Sequence, residues 1–104
     1  MQVTLSYVED CPNWPLARER LRQALDQLGH DDTAIRYVVV RSEAQARALG
    51  FAGSPSFTVD GVDLFGGAAP TGALACRLYP TAEGLAGAPA VSDLVAALSG
   101  RATV

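Results

Sequence analysis

Residues 3 to 28 restrict the fold more than any other part of the chain. Val3, Leu5 and Tyr7 lie on one side of an apolar run from residue 2 to residue 8. That is the two-residue period of a strand with one buried face. Ala17, Leu21, Ala24, Leu25 and Leu28 then recur at spacings of three and four, the stripe of an amphipathic helix. Asn13 suits the N-cap. Pro15 loses nothing in a first turn whose N–H groups lack partners, and Gly29 suits the C-terminal end. Arg22 and Asp26 form an i,i+4 pair on the wet side of this helix.

Between the strand and the helix lies Glu9-Asp10-Cys11-Pro12-Asn13-Trp14-Pro15. The first-turn N–H groups of a helix are unpaired and carry partial positive charge. A thiolate placed there is favoured, so Cys11 is the first candidate nucleophile. Glu9 and Asp10 oppose that effect, and no Lys or Arg stands within the motif, although Arg18 lies one turn into the helix. The balance predicts a modest activation at most. The alternative reading of Cys11 is a small apolar residue packed in a loop.

Further along, Ala34 to Val40 is rich in β-branched residues, and Val38-Val39-Val40 suggests a strand buried on both faces. Ser42 with Gln45 is a capping-box signature for a short helix ending at Gly50. Gly53-Ser54-Pro55 breaks the chain. Ser56 to Val59 and Val62 to Phe65 flank Asp60-Gly61, a two-residue hairpin signal. Gly66 to Gly72 reads as a loop and Ala75 to Tyr79 as a short strand or packed loop. Thr81 to Pro89 reads as a second loop. A last helix begins at Val91-Ser92-Asp93 and stops at Gly100, leaving Arg101 to Val104 as a frayed tail. The expected order is β-α-β-α-β-β-α in one domain, residues 1 to 104. Its first βαβ unit should be parallel and right-handed.

Composition narrows the function. Apolar residues make up 49% of the 104 and charged residues 18%, a globular balance that excludes the disordered class. A net charge of −3 argues against nucleic acid as a partner. No apolar run approaches the ~18 residues of a membrane span. The start of the chain reads as a strand, not a leader, and with two cysteines suggests a reducing, cytoplasmic setting. Two distant cysteines and one distant histidine do not make a zinc set. No carboxylate pair has acid/base spacing, and the glycines form no phosphate cradle. No cofactor is expected. His30 reads as exposed and Tyr7 as core. Trp14 reads equally well as a groove wall or as an anchor on the first helix.

Three of these features together resemble the thioredoxin-fold family. They are Cys11-Pro12-Asn13-Trp14 after the first strand, Gly53-Ser54-Pro55-Ser56 before the third, and the Asp60-Gly61 hairpin. Residues 2 to 65 and the last helix carry the likeness. Within that family the chain is similar to short thioredoxin-like proteins with a Glu-x-Cys-Pro-Asn-Trp-like start, a Gly-Ser-Pro turn and a Cys-Arg-x-Tyr segment. Some of these are labelled alkylmercury lyase-like. The resemblance implies an α/β fold with a mixed four-stranded sheet flanked by helices. It also implies a cis Ser54–Pro55 bond beside the reactive cysteine and thiol–disulfide chemistry. Pro12, Trp14, Ser54 and Pro55 would contact a protein or small-molecule thiol or disulfide, with substrate backbone paired near Pro55.

One departure matters. Trp14 stands where the family's second motif cysteine would be, so exchange within the motif is out of reach. Cys11 then acts as a monothiol, or Cys76 resolves it. The fourth strand should end on the side of Cys11, and about ten residues at ~3.3 Å each join Phe65 to Cys76, which is ample reach. Three functions stay open: a thiol–disulfide oxidoreductase or redox sensor, a soft-metal (mercury-type) binder using two thiolates, and a non-catalytic interaction module.

Overall fold

The computed structural model describes residues 1–65 and 74–102. The Gly66–Gly72 loop and the last two residues of the expected tail lie outside the described residues. β1 (Val3–Tyr7) and β3 (Ser56–Val59) form the middle of a four-stranded sheet. β2 (Ile35–Val39) flanks β1, and β4 (Val62–Asp63) flanks β3. β1 runs parallel to β2 and antiparallel to β3, and β4 runs antiparallel to β3. The sheet is therefore mixed, and three helices complete an α/β architecture: α1 (Trp14–Gln27), α2 (Glu43–Leu49) and α3 (Val91–Ala102).

Register explains which face is buried. Val3 pairs with Val59 and Leu5 with Phe57, whereas Thr4 pairs with Thr58 and Ser6 with Ser56. Side chains alternate across a strand, so one face is apolar and the other is built of small hydroxyls. The apolar face packs against Ala17, Leu21, Ala24 and Leu25 of α1 and Leu94 and Leu98 of α3, with Tyr79 and Leu64 in the same core. The stripe read from the sequence is the buried face of α1. A second, small cluster joins Val40, Ala46 of α2 and Phe51, with Val8 against it.

Local signals hold where they depend on neighbours in sequence. Asp60 and Gly61 turn with φ of 51° and 83°, the positive pair a two-residue hairpin needs. The Ser42 hydroxyl caps α2 by accepting from the Gln45 N–H at 3.1 Å, and the Gln45 side chain reaches back to the Arg41 N–H at 2.9 Å.

Several expectations are corrected. β2 is an edge strand with Arg36 and Tyr37 exposed, so Val38-Val39-Val40 is not buried on both faces. Asn13 occupies the N-cap position of α1 but its side chain makes no capping bond. β4 ends at Asp63, whose carboxylate accepts from the Phe65 N–H at 2.8 Å and closes the strand. The expected loop from Thr81 contains a hairpin, β5 (Tyr79–Thr81) paired with β6 (Gly84–Ala86). Gly100 does not stop the last helix, which runs on to Ala102.

Candidate functional site

The site forms where β1 runs out and the segment before β3 passes beside it. After Val8 the chain folds back on itself, and the Cys11 N–H donates to the Val8 carbonyl at 3.0 Å. This turn is pinned from across the sheet, because the Val8 N–H donates to Ser54 Oγ at 3.0 Å. The Cys11 thiol in turn donates to the Ser54 carbonyl at 3.8 Å, a sulfur-length bond. Cys11 is 6% exposed. Its one described side-chain bond is to this carbonyl, not to the first-turn amides of α1, which begins at Trp14.

Ser54 itself is 1% exposed, and the Ser54–Pro55 peptide is cis. Its main chain is fully engaged within the molecule. The Ser54 N–H donates to the Ala75 carbonyl at 2.8 Å, and the Ser54 carbonyl accepts from the Arg77 N–H at 2.9 Å. These two bonds make a parallel bridge between Ser54 and Cys76. The expected pairing of substrate backbone at this position therefore meets an edge already taken by the chain's own residues 75–77.

That short strap is held by buried side chains. Arg77 is 7% exposed and grips Asp63 with both nitrogens, Nη1 to Oδ2 at 2.7 Å and Nη2 to Oδ1 at 3.2 Å. Nη2 also donates to the Phe65 carbonyl at 2.8 Å, and the guanidinium lies 4.9 Å from the Tyr79 ring centre. Burial by itself lowers the Arg77 pKa. The Asp63 hydrogen bond and the Tyr79 and Asp63 charges together outweigh it, and the net shift is upward. The Tyr79 hydroxyl donates to the Pro55 carbonyl. Burial pushes that hydroxyl well above its ordinary range, against the pull of Arg77. Gly53 completes the fit at φ +118°, since a Cβ there would lie 2.8 Å from Arg77 Cβ.

The consequence is a cleft of 130 Å³ lined by Val8, Asp10, Cys11, Ser54, Leu74, Ala75 and Cys76. Both thiols are free, Cys11 on the inner wall and Cys76 exposed at the surface. Of the residues read as site residues in the sequence, the structure brings Cys11, Ser54 and Cys76 together here. Pro55 lies just behind, fully buried, its carbonyl taken by Tyr79. Pro12 and Trp14 do not line this cleft. Trp14 stacks on Tyr7 at 4.2 Å and 16°, with Arg18 at 5.0 Å from its ring, so it anchors α1. Pro12 instead borders a shallow groove along α1 with Leu16 and Tyr37.

Sequence reasoning missed Arg77, Asp63 and Tyr79 as the residues that hold Cys76 in place. A signal existed. In an extended Cys76-Arg77-Leu78-Tyr79, Arg77 and Tyr79 share one side and Cys76 and Leu78 the other. Burial follows that split, with Arg77 and Tyr79 inside and Cys76 and Leu78 outside. Among the described residues no group of three or more His, Cys, Asp and Glu could hold a metal ion. No described helix is long and apolar enough to cross a membrane. No family model matches this sequence, and the comparisons with curated proteins and with solved structures return no match either.

Proposed function

We propose that this is a thioredoxin-like protein that exchanges thiols and disulfides through the pair Cys11 and Cys76. The observation that carries the reading is that two residues with free thiols line one small cleft, Cys11 bonded to the Ser54 carbonyl and Cys76 bridged to Ser54. The strand order β2-β1-β3-β4, the cysteine turn after β1 and the cis Ser54–Pro55 bond before β3 support the thioredoxin-like part. Cys76 takes over the role that Trp14 cannot fill. The partner is a protein or small-molecule disulfide. Two protein thiols become one disulfide as that partner is reduced to two thiols.

The test is to treat the reduced protein with a small disulfide, digest it without reductant and weigh the peptides. A peptide linking Cys11 to Cys76 is expected. Its absence overturns the function, whether or not mixed disulfides form on the single cysteines. The same cleft favours one second reading. Two cysteines on one cleft offer the pair of thiolates that suits a two-coordinate soft ion such as mercury(II). That reading requires one ion per chain, lost in both Cys11→Ser and Cys76→Ser.

A further inference from the structure

We infer that Cys76 is the thiol that attacks the external disulfide and that Cys11 is the resolving thiol. This rests on the exchange reading above but assigns an order opposite to the one expected from the strand-to-helix position of Cys11. The two cysteines differ most in access. Cys11 is 6% exposed, with its S–H committed to the Ser54 carbonyl. Cys76 is exposed, on a strap whose main chain is bonded to Ser54 on both flanks, through Ala75 and Arg77.

The geometry of exchange turns this difference into an order. Attack on a disulfide sets three sulfurs in line, with a substituent on each sulfur of the disulfide under attack. At Cys11 that assembly would have to enter the cleft and reach a side chain that is 6% exposed. At Cys76 the substituents remain in solvent. The second step has no such demand, because the sulfur that must meet Cys11 belongs to Cys76, a residue of the same cleft. The strap also fills the Ser54 edge, so an incoming chain cannot use those two backbone groups to dock beside Cys11.

The balance is complete. The Cys76 thiolate attacks RSSR, forms Cys76–S–S–R and expels RS⁻, which takes up a proton as RSH. The Cys11 thiolate then attacks the Cys76 sulfur, forms the Cys11–Cys76 bond and expels the second RSH. Two protein thiols are oxidised, one RSSR is reduced, and the two thiol protons end on the two RSH molecules.

The experiment uses the whole chain and bis(2-hydroxyethyl) disulfide as the probe. Reduced Cys11→Ser and Cys76→Ser proteins are mixed with the probe, quenched with acid at intervals and weighed. Cys76 in the first variant should form its mixed disulfide about tenfold or more faster than Cys11 in the second. In the unmutated chain, peptide mapping of early quenches should place the transient adduct on Cys76. An equal or faster rate at Cys11, or an early adduct on Cys11, overturns the order and leaves the exchange function standing. Adducts that accumulate on both cysteines with no Cys11–Cys76 link overturn the pair, and the function with it.

Discussion

At the scale of single residues, Ser54 is the joint of the site. Its hydroxyl accepts from Val8, its N–H serves Ala75, and its carbonyl receives both Arg77 and Cys11. Replacing it by alanine keeps the main-chain bonds but leaves the Val8 N–H unpaired in a part-buried place. Ser54→Ala should cost about 1–3 kcal/mol, read as a lower urea midpoint, and should slow closure of the Cys11–Cys76 disulfide. Tyr79 gives a pH signature. The unfolded chain releases this proton near the ordinary value of 10.0, while the folded chain holds it to a higher pH. The stability contributed is whole below pH 10 and falls as pH rises above it. The slope is up to about 1.4 kcal/mol per pH unit. Urea unfolding across that range should show the loss in the unmutated protein and not in Tyr79→Phe. Cys11 and Ser54-Pro55 were legible as candidate site residues because each marks a chain break at the end of a periodic run. Arg77 was signalled only by its alternation with Tyr79, because an arginine beside two apolar residues looks like a solvated charge until the half-buried Asp63 is found to face it.

At the scale of elements, the strap 75–77 is a one-bridge strand whose position depends on one close approach. Gly53 sits at φ +118°, and an added Cβ would come within 2.8 Å of Arg77 Cβ and 3.2 Å of the Arg77 main chain. Backbone cannot swing aside as a side-chain tip can. Gly53→Ala should therefore lose about 2 kcal/mol or more in denaturant unfolding, and should displace Cys76 enough to slow its oxidative pairing with Cys11. Elements defined by local periodicity were readable: α1 from its stripe, α2 from Ser42 and Gln45, the β3–β4 turn from Asp60-Gly61. Those defined by tertiary position were not. The valines of β2 read as a central strand, yet the strand lies at the edge, because hydrophobic content reports burial in general and not strand order. The β5–β6 hairpin read as loop because its strands are only three residues long and one carries Pro80, although Gly84 at φ 109° and the Thr81 hydroxyl supply its turn chemistry.

At the scale of the molecule, one core on one sheet face carries α1, α3 and Tyr79 together, so the strap is part of the main packing unit. A Cys11–Cys76 bond would close a loop of about 65 residues and, through the entropy of the unfolded chain, stabilise the oxidised form by about 4 kcal/mol. Paired urea titrations of oxidised and reduced protein should show that difference, and Cys76→Ser should abolish it. Sequence alone determined the helices, the central strands, the hairpin turn and the cysteine turn. Each follows from side-chain periodicity and cap or turn chemistry acting over a few residues. Only the tertiary structure decided that the Ser54 edge is filled from within, that Trp14 is an anchor, and that Cys76 stands outside Cys11. Those facts depend on which distant segments share a hydrogen bond or an ion pair, and the spacing along the chain does not encode such contacts.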